Sequence, residues 1–287
     1  MKIPDIYKKK KTVVSFEIFP PKKHDSIDKI HSAIKQLVLL SPDFISVTYG
    51  AGGGTATSHT TEIASAVQSQ YNIPALAHLT CIGAAKEKID DLLDCMEQKN
   101  IANILALRGD LPDASSQNSD YLYASSLIAH IKKRKNFCIG AACYPEGHID
   151  CDDLRIDIEH LKHKQDSGAD FFISQLFFDN NFFFRFLERA YKANITIPIS
   201  AGIMPIMSRS QIERMIFMCG SSLPSSIIKL LHKYETDPSG LYSAGIEHAS
   251  KQIEELIKNG VQGVHLYTMN KTDAAKYCIE HLYSGPK

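Results

Sequence analysis

Residues 12–19 read TVVSFEIF, and the proline pair Pro20-Pro21 closes this run. A short stretch rich in β-branched and aromatic residues predicts a β-strand, and proline is poorly tolerated inside a sheet, so the strand ends there. The same unit, a short apolar run followed by a longer amphipathic stretch, recurs along the whole chain. Residues 12–19 are therefore expected to be the first strand of a repeating strand–helix fold.

The repeat predicts eight strands, near residues 12–19, 44–49, 75–81, 103–108, 137–144, 171–178, 197–203 and 263–268. Helical periodicity lies between them, near 26–40, 59–70, 85–99, 122–134, 153–167, 180–193, 209–219 and 272–283. This count favours a single (βα)8 TIM-type barrel over an open doubly wound sheet. Segment 221–260 is too long for a loop, so extra helices are expected before the last strand, near 224–234 and 238–259. Because no linker or repeat interrupts the pattern, residues 1–287 are predicted to form one domain.

Composition excludes several classes of protein. Lysine plus arginine equal aspartate plus glutamate at 32 each, so no global charge favours nucleic acid or an anionic membrane as a partner. No apolar run is long enough to span a bilayer, and the basic start MKIPDIYKKKK does not resemble a signal peptide. The seven cysteines form no C-x-x-C pair. We therefore expect a cytoplasmic protein without disulfides.

The sequence gives only weak evidence for motifs that bind nucleotides or metals. Residues 50–54 read GAGGG after a strand, but Thr55 stands where a dinucleotide fingerprint needs glycine, and no P-loop or H-E-x-x-H motif occurs. His160 and His163 are one helical turn apart and could bind a metal. A solvated helix face is the simpler interpretation because no third ligand is obvious, so no metal is predicted.

Polar side chains recur where the predicted strands end, which is the rim that carries active sites in such barrels. They are Glu17, Thr48, Tyr49, His78, Thr80, Arg108, Asp110, Tyr144, His148, Gln175, Tyr267, Asn270 and Lys271, and Gly109 stands between Arg108 and Asp110. Any one of these residues alone could belong to a buried ion pair with a structural role. Their convergence on one rim predicts an active site there.

Glu17 is the sharpest candidate because it lies among Phe16, Ile18 and Phe19. If it faces the mouth of the barrel, loss of water should raise its pKa and keep it protonated, which suits a general acid. The alternative is a carboxylate paired with Arg108 or with another cation.

The motifs SFEIFPPK, SVTYGAGG, AHLTC, ALRGDLP, AACYPEGH, ISQLFFD, GIMP and HLYTMNK occur in this order. Together they resemble the successive strand-end motifs of bacterial methylenetetrahydrofolate reductases, over residues 12–283. The resemblance implies a catalytic barrel with non-covalent FAD that reduces 5,10-methylenetetrahydrofolate to 5-methyltetrahydrofolate with NADH or NADPH, in ping-pong order. It also suggests a homo-oligomer.

The resemblance implies catalytic roles for two carboxyl groups. Glu17 matches the general acid that protonates N10 when the five-membered ring of the folate opens. Asp110 matches a residue that contacts the flavin and the pterin, where a carboxylate would stabilise the developing iminium.

Binding residues also follow from the resemblance. Those implied for FAD are Thr48, Tyr49, Ala51, His78, Arg108, Gly109, Asp110, Ala124, Tyr144, His148, Asp157, His160 and Lys164. Those implied for the folate are Gln175, Gln211, Tyr267 and Lys271. Two positions depart from the family pattern, because Lys271 replaces an arginine and Met215 replaces an aromatic residue. Lysine keeps the charge but loses the planar fork that grips a carboxylate.

Two other functions stay open. The barrel could be a flavin-free lyase or aldolase that uses Lys164 or Lys271, or a flavin- or folate-binding barrel without turnover. The colour of the purified protein and a single-turnover assay separate these three hypotheses.

Overall fold

A computed structural model describes residues 1–21, 27–49, 55–109, 120–134 and 136–283, with backbone only at 55–58 and 281–283. Its strands form one closed parallel barrel in the order β1 to β8. They are β1 (Val13–Ile18), β2 (Phe44–Val47), β3 (Ala75–Thr80), β4 (Asn103–Leu107), β5 (Cys138–Cys143), β6 (Phe171–Ser174), β7 (Ile199–Ile203) and β8 (Gly263–Tyr267). Strand β1 closes the barrel against β8, and Glu17 stands in register with both Ser46 and Tyr267. The predicted (βα)8 barrel is confirmed.

Helices alternate with these strands as expected. They are α1 (Pro4–Tyr7), α2 (Ile27–Val38), α3 (Thr55–Tyr71), α4 (Lys86–Gln98), α5 (Ala124–Lys132), α6 (Leu154–Asp166), α7 (Asn180–Lys192), α8 (Arg209–Cys219), α9 (Ser225–Lys233), α10 (Pro238–Lys258) and α11 (Thr272–Tyr283). The two extra helices before the last strand, α9 and α10, are confirmed. In the described part of the chain, no helix combines the length and the apolar character needed to cross a bilayer.

Strands β2 and β6 end earlier than predicted, at Val47 and Ser174. The strand-like stretches FISVTY and FFISQLFF continue beyond both points, but the chain leaves the sheet there. Apolar composition could not mark these ends, because the residues that follow β6 stay buried outside the sheet, as Leu176 and Phe177 do. Gln175 therefore follows β6 instead of lying on it.

The short helix α1 was not predicted, and it closes the amino end of the barrel. Ile3 and Ile6 are buried in one cluster with residues of the barrel interior such as Phe44 and Phe171. The backbone N–H of Ile3 donates to Asn103 Oδ1 at 3.0 Å. This end is filled, so the open mouth lies at the carboxyl ends of the strands.

Helices α8, α9 and α10 build a wall beside strands β6 and β7. A separate apolar cluster joins them to the chain after those strands, and its buried members are Leu176, Phe178, Met204, Ile206, Ile212, Ile227 and Leu241. The extra helices therefore extend the barrel on the side where Gln175 and Gln211 lie.

Candidate active site

Glu17 lies inside the barrel near its mouth and is 6% exposed. Alternation along β1 places Ser15 and Glu17 on the inner face, while Phe16 and Ile18 pack outward against the helices. The carboxylate Oε2 accepts a hydrogen bond from Ser46 Oγ at 3.3 Å. It also lies 3.5 Å from His265 Nε2 and 3.4 Å from His78 Nε2. The predicted inward position of Glu17 is confirmed.

The expected rise in the pKa of Glu17 is wrong for this arrangement. Burial raises the pKa, but the hydrogen bond from His265, the electrostatic effect of the nearby histidines and the hydrogen bond from Ser46 together bring it below its ordinary value. Burial also lowers the pKa of His78 to about 4, against the opposing effect of Glu17. At neutral pH the cluster therefore contains an ionised Glu17 beside a neutral His78.

The alternative that pairs Glu17 with Arg108 is also wrong. Arg108 Nη2 instead donates to Asp150 Oδ2 at 2.7 Å, on the loop after β5. Asp150 is exposed, so this ion pair lies at the rim and not inside the barrel. The neighbours of Glu17 are imidazoles and a hydroxyl instead of a guanidinium.

His265 is a site residue that sequence reasoning missed. It is fully buried on β8, and its Nδ1 lies 2.8 Å from Ser15 Oγ while its Nε2 faces Glu17. Its ring stacks on Phe44 at a centroid distance of 6.1 Å. A histidine within the apolar strand GVHLY, two residues before the predicted Tyr267, was the available signal.

Tyr267 reaches across the barrel from β8 to β6. Its hydroxyl donates to the backbone oxygen of Ser174 at 2.7 Å. Gly202 on β7 makes room for it, because a Cβ there would lie 2.8 Å from the Tyr267 ring and 2.2 Å from the Ser174 oxygen. Gln175, the next residue after Ser174, is half-buried beside this contact. Tyr267 and Gln175, two of the residues predicted to bind the folate, are therefore neighbours.

The loop after β8 holds the end of β1. Thr268 Oγ1 donates to the backbone oxygen of Glu17 at 2.6 Å. Asn270 pairs with the backbone of Phe19 twice, since its Oδ1 accepts from the N–H at 2.9 Å and its Nδ2 donates to the carbonyl at 3.0 Å. Lys271 is exposed at the outer edge of the loop. The loop therefore sets the position of the strand that carries Glu17.

A second set of polar side chains lines the mouth beyond the end of β5. Lys164 Nζ donates to the Ala142 carbonyl at 2.9 Å and lies 5.2 Å from the centre of the Tyr144 ring. The Tyr144 ring meets the His148 ring edge-on, at a centroid distance of 4.6 Å. Asp157 on α6 is buried, and burial raises its pKa while Lys164 opposes the rise. His160, one turn further along α6, is exposed.

Gly109 sets the turn that follows β4 and Arg108. Its φ is +88°, a left-handed conformation that residues with a Cβ rarely adopt. A Cβ there would also lie 3.0 Å from Ile82 and 3.1 Å from Thr80. The glycine at this predicted position is therefore required by the backbone.

Gln211 Nε2 is a buried nitrogen atom at the mouth that has no hydrogen-bond partner in the described part of the chain, and the contact of His78 Nε2 with Glu17 Oε2 at 3.4 Å is not a hydrogen bond. The other end of the Gln211 amide is engaged, because Oε1 accepts from the Met207 N–H at 2.8 Å. Buried polar atoms are rarely left unpaired, so Gln211 Nε2 is suited to face a bound ligand.

The remaining predicted residues divide into two groups. Thr48 is buried and Tyr49 is half-buried just after β2, while Ala124 is buried at the start of α5. Ala51 and Asp110 lie outside the described residues. The structure therefore gathers the described candidates around one mouth, with the Glu17 cluster deep inside and the Lys164–Asp157 pair at the edge.

A closed parallel barrel with titratable side chains gathered at the carboxyl ends of its strands has the architecture of a barrel enzyme. The sequence model of the family described as methylenetetrahydrofolate reductase matches residues 2–283. The chain belongs to this family.

Curated relatives agree with this assignment. The 5,10-methylenetetrahydrofolate reductase of Buchnera aphidicola subsp. Schizaphis graminum is 34% identical over 285 residues, which cover 97% of this chain and 96% of that one. The methylenetetrahydrofolate reductase 1 of Schizosaccharomyces pombe is 36% identical over 280 residues, 96% of this chain and 46% of that one. The chain thus spans about half the length of the yeast and plant relatives that it matches.

Among solved structures, the chain is similar to an uncharacterized protein from Clostridium thermocellum that binds two copies of 5-methyl-5,6,7,8-tetrahydrofolic acid. The TM-score is 0.66 at 15% identity, and the match covers 98% of this chain and 97% of that one. At this identity the likeness supports the barrel fold alone.

Proposed function

We propose that this chain reduces 5,10-methylenetetrahydrofolate to 5-methyltetrahydrofolate with NADH or NADPH, through a bound FAD. The observation that carries the proposal is Glu17, a buried carboxyl group surrounded by His265, His78 and Ser46 inside the mouth of a barrel of this family. We further propose that residues 1–287 act as one catalytic domain within a homo-oligomer.

The residues at the mouth fit a flavin nucleotide. Arg108 and Lys164 supply two cations for a diphosphate, and the buried carboxyl group of Asp157 can accept hydrogen bonds from ribose hydroxyls. His78, buried beside Glu17 inside the mouth, would contact the flavin ring system. When bound, a flavin supplies hydride transfer between the nicotinamide and the folate.

Glu17 would bind a proton and deliver it to N10 of the folate as the five-membered ring opens. Its pKa is low in the open mouth, so the carboxyl group must gain its proton when ligands cover it. Removing the remaining water disfavours the charged form and raises the pKa. The hydrogen bonds from His265 and Ser46 hold the carboxyl group in one place, which matters because proton transfer needs hydrogen-bond distance.

Folate binding is assigned to Gln175, Gln211, Tyr267 and Lys271. The unpaired Nε2 of Gln211 can donate to a pterin, and Tyr267 can support its ring, since its own hydroxyl is already engaged by Ser174. Lys271 at the rim can pair with the carboxylates of the folate tail. Asp110 is proposed, from the family resemblance alone, to stabilise the positive charge of the iminium that ring opening creates.

The experiment that tests this function is an anaerobic cycle followed by visible absorbance. The purified protein, supplied with FAD if needed, should be yellow. NADH or NADPH should bleach the flavin band, and 5,10-methylenetetrahydrofolate should restore it. A protein that takes up no flavin would contradict the proposal and favour a flavin-free lyase or aldolase. A yellow protein that never transfers electrons to the folate would favour a binding barrel.

Replacing Glu17 by glutamine tests its role as the acid. We expect Glu17→Gln to retain FAD and to be bleached normally by the nicotinamide, because neither step needs the carboxyl proton. Reoxidation by the folate should slow by about 10²–10⁴-fold, the usual contribution of a general acid. Stopped-flow absorbance measures both half-reactions, and wild-type reoxidation in this variant would exclude the acid role.

A further inference from the structure

The loop after β5 and the first turns of α6 bring together three side chains that can bind metals. Cys151 Sγ, a carboxylate oxygen of Asp157 and a ring nitrogen of His160 all lie within 4.8 Å of one another. Asp157 is buried, Cys151 is half-buried and His160 is exposed. The group is therefore reachable from solvent on one side and anchored in the protein on the other.

Local structure explains how these three residues come together, although their spacing in the sequence matches no known metal-binding motif. Asp157 and His160 are three residues apart on α6, so they share one face of the helix. A turn in the preceding loop, in which the Cys151 N–H donates to the His148 carbonyl at 2.8 Å, brings the thiol over that face. The sequence suggested a His160–His163 pair without a third ligand, whereas the structure groups His160 with Cys151 and Asp157.

The donor set selects the kind of ion. A thiolate, an imidazole and a carboxylate suit a borderline ion such as Zn²⁺ or Co²⁺, whereas Mg²⁺ and Ca²⁺ prefer oxygen ligands throughout. Three protein ligands leave the fourth tetrahedral position to water. Ligand contacts near 2.0–2.3 Å, the usual range for zinc, require Cys151 and His160 to close in on the ion.

Some charges around the cluster favour metal binding, and others oppose it. The carboxyl group of Asp157 can attract a divalent ion, and the Lys164 ammonium group lies close enough to interact with that carboxyl group. The same ammonium group repels a divalent ion. Cys151 has one weak competing contact, since its thiol lies 3.4 Å from the Asp153 carbonyl. We expect weaker binding than at a four-ligand structural site.

We propose that Cys151, Asp157 and His160 form a binding site for Zn²⁺, and that the ion and the flavin nucleotide exclude each other. The exclusion rests on the proposed function, which assigns Asp157 and His160 to the adenosine end of FAD. The metal site itself rests on the grouping of the three side chains. Zinc would then inhibit the enzyme by preventing cofactor loading, without reaching Glu17.

The test uses tag-free, flavin-free protein and Co²⁺ as a spectroscopic substitute for Zn²⁺. We expect one Co²⁺ per chain, a thiolate-to-cobalt charge-transfer band, and loss of that band when Zn²⁺ is added. Cys151→Ser should abolish the band, and His160→Gln should weaken Co²⁺ and Zn²⁺ binding at least tenfold. The matched controls, Cys95→Ser and His163→Gln, should bind like the wild type. The site would be overturned if the charge-transfer band persisted in Cys151→Ser. It would also be overturned if the wild type bound Co²⁺ and Zn²⁺ no more tightly than Cys151→Ser does.

Competition with FAD separates this inference from the proposed function. If both are right, FAD releases bound Zn²⁺, and Cys151→Ser takes up FAD equally well with and without Zn²⁺. If Zn²⁺ binds as described but FAD does not displace it, the exclusion and the nucleotide placement fail together. If FAD binds and the enzyme turns over but Zn²⁺ does not bind, the metal site fails and the proposed function stands.

Discussion

At the scale of single residues, the chemistry of this protein depends on how a buried carboxylate is stabilised. An ionised carboxyl group without partners would cost several kcal/mol inside a protein. Glu17 avoids this cost through His265 and Ser46, and the result is a pKa below the ordinary value. The residue is thus an acid that is charged at rest and must be protonated during the reaction.

This view predicts the pH dependence of folate reduction. When ligands cover Glu17, its protonated form is lost as the pH rises through the higher pKa that it has in that state, so reoxidation by the folate should slow toward alkaline pH. Ser46→Ala removes one donor to the carboxylate and therefore raises the pKa, which moves the profile to higher pH. A hydrogen bond to a charged group contributes about 1.5–3 kcal/mol, so a shift of about 1 pH unit or more is expected.

His265→Leu should shift the profile in the same direction, since it removes the other donor at similar volume. Stopped-flow reoxidation between about pH 5 and about pH 9, with reduction by the nicotinamide as the internal control, measures the shift. An unchanged profile in both variants, or a shift to lower pH, would contradict the assignment of these donors.

At the scale of an element, the loop after β8 determines where the end of β1 lies. Met269 and Asn270 adopt left-handed φ values of 50° and 59°. Such conformations cost about 1–2 kcal/mol per residue outside glycine. The two hydrogen bonds from the Asn270 amide to Phe19 offset this cost and tie the loop to the strand that carries Glu17.

Removing the Asn270 amide should therefore impair catalysis without loss of the cofactor. We expect Asn270→Ala to slow folate reoxidation about tenfold, which corresponds to about 1.4 kcal/mol, while the flavin spectrum and the nicotinamide reaction stay normal. Asn270→Gly is the matched control, because it relieves the backbone strain but also lacks the amide. If Asn270→Gly reacted like the wild type, backbone strain and not the amide would explain the effect.

At the scale of the whole molecule, the barrel separates a structural end from a chemical end. Helix α1 seals the amino end, where Tyr7 Oη lies 2.7 Å from Ser200 Oγ. Asn103 on β4 is fully buried there and joins β4 to the N-terminal segment and to β3: its Oδ1 accepts from the Ile3 N–H, and its Nδ2 donates to the carbonyls of Met1 and Ala75. These contacts lie at the opposite end from the mouth.

Loss of the Asn103 side chain should reduce stability but not chemistry. Asn103→Ala leaves buried backbone groups unpaired, so we expect the free energy of unfolding to fall by about 2–4 kcal/mol. Urea unfolding measures this change, and both flavin half-reactions at 25 °C, a temperature well below the usual melting range, should match the wild type. The exposed Asn259→Ala should change stability by less than about 0.5 kcal/mol. Equal stability of the two variants would contradict the role assigned to α1.

Much of this protein was predictable from local sequence. The alternation of strand and helix patterns predicted the barrel, because each pattern reflects which face of an element is buried. The polar strand ends predicted the mouth, since parallel strands bring their carboxyl ends to one rim. Glu17, His78 and Tyr267 could be placed near that rim without knowing their neighbours, whereas Gln211 was implied by the family resemblance alone.

The neighbours themselves were decided by tertiary structure. Glu17 and His265 are 248 residues apart, and only closure of β1 on β8 brings them together. That closure made the pKa of Glu17 fall instead of rise. The packing of the segments after β4 and β5 directed Arg108 to Asp150. Periodicity reports which face a residue occupies, but the shear of a closed barrel sets which residues meet, and shear depends on all the strands at once.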